Sequence, residues 1–339
     1  MSEGRLVQRR VAGRGPVRSM NSRVTGRSHA AASAARWDTA IGSVGAALIV
    51  GLVTAVVAGR AMRRPIDRLP ADRAALKVRD GAAILGASVL ADSAMEHLRG
   101  GFYNPAMFAA PVTAAAVLSA SVAEPDPRER TFAHGAHAAG AAVGATGLAF
   151  HLYDVGRRPG GASWQNFFYA APIGAPGALL LAGLFGLASE RIVAIEHLER
   201  HPRERLRIAR LLAACSGLAL LFESAEVALL HFRGAFHDPA MWLPVTVPPA
   251  AGLALLHHAA RPSLHRDRLA RLLTGTTGIL GVVGTGFHVY GVGRHMGGWR
   301  NWRQNVLAGP PTPAPSSFWG LALIGLASLD LLAAEGLPR

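Results

Sequence analysis

His97-Leu98-Arg99-Gly100-Gly101-Phe102-Tyr103-Asn104-Pro105-Ala106-Met107 returns later in the chain as His231-Phe232-Arg233-Gly234-Ala235-Phe236-His237-Asp238-Pro239-Ala240-Met241. The likeness continues outward from both stretches. Pro111-Val112-Thr113 answers to Pro244-Val245-Thr246. His151-x-Tyr153-x-Val155-Gly156-Arg157 answers to His288-x-Tyr290-x-Val292-Gly293-Arg294. Gly160-Gly161 and Gly297-Gly298 follow, then Trp164-Gln165-Asn166 against Trp302, Gln304 and Asn305. A pattern carried twice makes each copy one structural unit, and the residue types kept in both copies are those the unit needs.

Composition places these units in a membrane. Of 339 residues, 50% are hydrophobic and only 17% are charged, against about 25% in soluble domains. The stretch from Ile41 to Gly59 carries no charge over a bilayer-spanning length. A net charge of +14 would suggest nucleic acid in a soluble chain. Here the arginines bunch between apolar segments, which fits loops facing anionic lipid, and no nucleic-acid partner is expected. Cys215 is the single cysteine, so an internal disulfide and a thiolate metal cluster are both excluded.

The expected fold is an all-α polytopic membrane protein. It consists of two tandem four-helix transmembrane repeats, in parallel duplication, plus one extra N-terminal apolar segment. Residues 1–37 read as a disordered basic tail, 38–60 as the first transmembrane segment and 61–79 as a basic linker. Repeat A spans 80–197, a linker 198–207, and repeat B 208–336. The expected helices are 80–98, 105–123, 133–153 and 170–195 in repeat A. Those of repeat B are 208–232, 239–259, 269–291 and 315–335. An even number of spans per copy makes both copies enter the membrane in the same direction. His97, His151, His231 and His288 then gather at one membrane face. That face collects seven Lys and Arg residues and the opposite face 20, or 15 against 20 when a spanning first segment places the tail's eight on the histidine side, and the positive-inside rule turns the histidines outward. The expected location is a bacterial inner membrane.

An ionisable side chain inside a spanning segment is costly and marks function by default. Each copy offers one histidine on its first helix and one on its third: His97 with His151, and His231 with His288. Neutral imidazole ligates iron, copper and zinc, and such a pair suits bis-histidine ligation of haem b within a four-helix bundle. Glycines precede the second histidine of each pair on its own helical face, Gly144 and Gly147 before His151, and Gly281 and Gly284 before His288. They are expected to leave a smooth surface for a flat macrocycle, although small residues also line ordinary helix contacts.

Asp92 and Glu96 precede His97, and Glu223 and Glu226 precede His231. Their spacing reads as unmatched between the copies, which argues against a carboxylate-bridged metal site of the ferritin-like kind. Arg157, Gln165 and Asn166, with Arg294, Gln304 and Asn305, place a cation and two amides together on the outward loops. They are candidates to grip a quinone head group, a haem propionate or a partner's acidic surface. The alternative for Arg and Trp is an interfacial belt. His134, His137, His257 and His258 have no counterpart in the other copy and read as incidental.

The leading functional expectation is a redox or electron-transfer component. It would bind haem-like cofactors through its paired histidines near the outer face and exchange electrons with quinone and a periplasmic or membrane protein. A cofactor-free structural or assembly subunit and a small-solute transporter are the alternatives. Sequence leaves open whether the protein is an enzyme, and it contains no soluble catalytic motif.

Overall fold

Residues 70–123, 130–169, 172–195 and 198–333 are described by the structure, a computed structural model. The basic tail 1–37, the first apolar segment 38–60, residues 61–69 of the expected linker and the turn at 124–128 lie outside them. Among the described residues every regular element is helical. The first half contains α1 (Pro70–Arg99), α2 (Ala109–Val122), α3 (Arg130–Gly156), a short α4 (Trp164–Tyr169) and α5 (Gly174–Ala194). The second half follows with α6 (Pro202–Arg233), α7 (Leu243–Ala260), α8 (Leu264–Arg294), a short α9 (Trp302–Ala308) and α10 (Ser316–Ala333). A single 3₁₀ turn, Pro105–Phe108 and Pro239–Trp242, leads into α2 and α7.

Helix α1 corrects the expected linker, because its first ten residues belong to the helix. Ala71, Ala74, Ala75 and Val78 are buried at helical spacing, while Asp72 and Arg73 face out. The charges concealed an amphipathic stripe. One of them, Lys77, is tied to Asp330 on α10. Helices α6 and α8 likewise start ahead of their expected positions, on Pro202 at a first-turn position and on an N-cap, Ser263, whose hydroxyl accepts from Arg266 N.

The four long helices of each half form a ring. In the first half α1 packs on α2 and α5, and α3 closes the ring against α2 and α5. In the second half α6 packs on α7 and α10, and α8 closes against both. The halves meet where α1 lies along α10, with a lighter contact between α5 and α6. Glycine explains the difference. A Cβ on Gly81 would stand 2.7 Å from the Gly320 carbonyl oxygen, so the α1 and α10 backbones touch through two glycines. One hydrophobic cluster, including Leu85, Leu179, Leu220 and Ile324, runs through both halves, and all described residues fall in one compact unit.

Among the described residues, six helices are long and apolar enough to cross a bilayer: α2 and α7 with their 3₁₀ turns, α5, α6, α8 and α10. The chain is a multi-pass helical membrane protein. Eight such helices were expected from these residues, and α1 and α3 are the two that differ. Both are long enough, at 30 and 27 residues. However, α1 carries Asp80, Asp92 and Glu96, and α3 is rich in glycine, alanine and histidine. Helix α1 tolerates its charges because α2, α5 and α10 shield it from lipid; Asp80 is 1% exposed.

Candidate functional site

The repeated stretch is a loop that holds a histidine. His97 lies two residues before the last residue of α1, where the chain leaves the helix in a Schellman-type end. The Phe102 N–H donates to the His97 carbonyl at 2.9 Å, and Phe236 donates to His231 at 3.0 Å. This turn forces Phe102 to φ 44° and Phe236 to φ 45°, a left-handed conformation that a bulky side chain rarely adopts. Strain of this kind costs on the order of 1–3 kcal/mol and persists only where surroundings over-determine it. Here the aromatic rings do so. Phe102 stacks on Phe108 with centroids 4.2 Å apart and meets the edge of His97; Phe236 does the same with Trp242 and His231. Asn104 and Asp238 then cap the 3₁₀ turns by accepting from Ala106 N and Ala240 N.

The turn returns a carbonyl to the histidine. His97 Nδ1 lies 2.6 Å from Met107 O, and His231 Nδ1 lies 2.8 Å from Met241 O. The histidines of α3 and α8 are held the same way by the chain entering the fourth helix. His151 Nδ1 is 2.8 Å from Pro172 O, and His288 Nδ1 is 2.7 Å from Pro311 O. A carbonyl can only accept, so Nδ1 carries the proton in all four rings. The neutral imidazole then keeps its lone pair on Nε2, which no described residue engages. His97 and His151 lie within electrostatic reach of each other, and so do His231 and His288.

The halves are latched together at this same end. Glu226, on α6, accepts from Ile173 N at 2.9 Å, one residue beyond the carbonyl that holds His151. Arg233 lies over the Phe168 ring of α4 at 5.3 Å, and Phe232 meets Phe168 edge-on. Arg99, paired with Glu96, reaches Val306 O of α9. Asp92 and Glu226 each stand five residues before their histidine, and they face each other within electrostatic reach. This equivalence corrects the reading of the acids as unmatched, which holds for Glu96, whose counterpart is Leu230. Glu223 accepts from Ser317 Oγ at the start of α10.

Several loop residues do other work than expected. Asn166 donates to Pro159 O at 3.1 Å and Gly161 O at 2.6 Å. Asn305 donates to Met296 O at 3.3 Å and Gly298 O at 2.9 Å. Their amides clasp the Gly160-Gly161 and Gly297-Gly298 turns, where all four glycines have positive φ. The expected grip on a head group or propionate is therefore corrected for Asn166 and Asn305, whose donors are already used by the loop. Asn305→Ala is expected to destabilise this loop by about 0.5–1.5 kcal/mol, because it removes two part-buried hydrogen bonds that hold the turn. Limited proteolysis between His295 and Asn301 would read the loss. Gln165 and Gln304 are exposed. Arg157 is exposed, bound to Asp154 at 2.9 Å and placed over Tyr153; Arg294 lies over Tyr290. This is the geometry of helix-end anchors at a head-group layer.

The glycines before the second histidines are also corrected. A Cβ on Gly144 would stand 2.2 Å from Leu180 N, and one on Gly281 would stand 2.6 Å from Trp319 N. Gly147 and Gly284 lie against Pro176 and Pro315. These faces are packing seams against the fourth helix of each ring, so the glycines are not the surface on which a macrocycle would lie. At the opposite end, His137 is buried and not incidental. Ser121 Oγ bonds its Nε2 at 3.0 Å and Glu190 its Nδ1 at 2.5 Å, and a Cβ on Gly186 would collide with the ring. His258, also buried, stands 3.8 Å from Asp267, which continues through Arg271 and Asp330 to Lys77. The only signal for these groups in the sequence was histidine within an apolar run.

Compared with known protein families, with curated proteins and with solved structures, the chain matches none.

Proposed function

We propose that the chain is a haem-binding electron-transfer protein of a bacterial inner membrane. It is built from two tandem four-helix repeats that enter the membrane in the same direction. His97 and His151 would hold one b-type haem, and His231 and His288 a second, near the outer face. One observation carries the reading: all four histidines donate Nδ1–H to a backbone carbonyl and keep Nε2 free. Metal-ligating histidines are oriented in this way, because the second bond fixes the tautomer and the ring plane. Two imidazoles per site are too few for a bare metal cage. Among the described residues no three of His, Cys, Asp and Glu converge on one point. A haem supplies the remaining four donors itself, so a bis-histidine site needs nothing more from the protein. Electrons would pass between a membrane quinone and a protein partner at the same face.

The decisive measurement is the visible spectrum of purified protein, oxidised and then reduced with dithionite. The expected result is a Soret band that shifts on reduction, with a haem content of two per chain. A protein purified from haem-replete cells that has no Soret band removes the reading.

The cofactor-free assembly subunit is favoured by a separate observation. Asn166 and Asn305 shape two outward loops for their own sake, as a docking surface requires. Loss of a co-purified partner on Asn305→Ala, with no haem in the wild-type protein, would support that reading. The transporter reading has no comparable support. The repeated polar groups gather at one end of the bundle and do not line a path through it.

A further inference from the structure

We infer that the two histidine-pair sites act together from a single membrane face, as a two-electron unit for donors and acceptors on that side, and do not conduct electrons across the bilayer. The inference rests on the haem reading above and assigns the side on which its partners act.

Three features of the bundle support it. First, both pairs are bound to the same end. The segment whose Pro172 carbonyl holds His151 is itself held by Glu226 through Ile173 N, and Glu226 stands on α6 five residues before His231. Arg99 and Arg233 fasten the halves at that end as well. Second, this chain of bonds links the pairs. It runs from the His151 ring through the Pro172–Ile173 peptide to Glu226 and along α6 to His231. Two one-electron centres anchored at one end of the bundle would equilibrate with each other faster than either would with a site at the far end. Third, the far side is remote. At 1.5 Å per residue, about 31 Å of helix separates His151 from Arg130, the first residue of α3. Electron tunnelling falls steeply with distance, and most of this length of α3 is alanine and glycine. Of the buried imidazoles near the far end, His137 is bonded on both ring nitrogens, and His258 stands 3.8 Å from Asp267 and belongs to no repeated histidine pair.

The chemistry at each site is one electron in and one electron out. Haem held by these histidines would supply a one-electron couple, and no bond to the protein would form or break. A two-electron donor such as a hydroquinone at this face would fill both sites and release its two protons to the same aqueous side.

The test uses full-length protein whose haem content is first read in detergent. It is reconstituted in phosphatidylcholine–phosphatidylglycerol vesicles with ferricyanide trapped inside, and dithionite is added outside. Copies facing outward should be reduced at both haems, and the remainder should be reduced only when detergent opens the vesicles. Trapped ferricyanide should disappear no faster than in protein-free vesicles. The double variants H97A/H151A and H231A/H288A, each with one site, should expose the same share of haem to external dithionite as the full protein. Accelerated loss of trapped ferricyanide, or two single-site variants with complementary shares, overturns the inference and leaves the haem reading standing. Absence of haem in the detergent spectrum ends both.

Discussion

His288→Ala is expected to halve the haem content of the purified protein, and His231→Ala to do the same. In the proposed site each histidine would supply one of two Nε2 ligands, and a single remaining imidazole would retain haem less well. The pairing makes a sharper forecast than either variant alone. His231→Ala combined with His288→Ala should lose no more than the single variants, because the second substitution strikes a site already empty. His97→Ala combined with His288→Ala should lose both haems, because it strikes one ligand in each half. Haem content measured by pyridine haemochrome, beside an unchanged helical circular-dichroism spectrum, reads the outcome. Additive losses within a supposed pair, or none across the halves, would show that the histidines are paired differently or ligate nothing. The geometry behind the forecast is the set of four Nδ1 bonds, 2.6–2.8 Å long, that direct each free nitrogen.

Gly144→Ala should destabilise the protein by about 3 kcal/mol or more, near the upper end for overpacking a close contact. The added carbon would stand 2.2 Å from Leu180 N and 2.6 Å from its Cα, both backbone atoms that move only if α3 and α5 separate. The same substitution at Gly135, on the same helix, meets nothing within 4 Å. There it should stabilise by up to about 1 kcal/mol through helix propensity alone. Opposite signs within one helix separate a packing seam from a surface kept open for a ligand. Thermal unfolding in detergent, monitored by circular dichroism, reports both. If Gly144→Ala were neutral, the contact between α3 and α5 would not be as close as the structure has it, and the glycine face would again be open to a macrocycle. Gly81→Ala should behave like Gly144→Ala, because its new carbon would meet Ile324 and the Gly320 carbonyl where α1 lies on α10.

Much of the fold could be read from residue patterns. The long helices follow from apolar runs separated by Gly-Gly, Pro and Arg clusters, and the repeated positions of the histidines place them near helix ends. The errors arose where a local pattern has two physical causes. Residues 70–79 looked like a basic linker because charge density is visible and a buried alanine stripe is faint. Glycines beside a histidine are needed equally by a flat ligand and by a close helix, and here Leu180 and Trp319 occupy the space. Asn166 and Asn305 recur for a structural reason, since each side chain clasps a turn of two glycines at positive φ. The equivalence of Asp92 and Glu226 was present in the letters all along. It is recovered by counting five residues back from each histidine.

Two properties belong to the sequence by itself: the all-helical membrane character, set by hydrophobicity over spanning lengths, and the choice of four repeated histidines, set by their identity at matched positions. Tertiary structure alone decided which ring nitrogen is available. The acceptors for Nδ1 are carbonyls that every residue possesses, and no side-chain pattern announces them. They reach the rings only because a strained Phe102 or Phe236 turn and the entry into α5 or α10 bring distant backbone within hydrogen-bonding distance. The contact between the halves was decided in the same way, because an approach of backbone to backbone at Gly81 and Gly320 depends on where two remote helices cross.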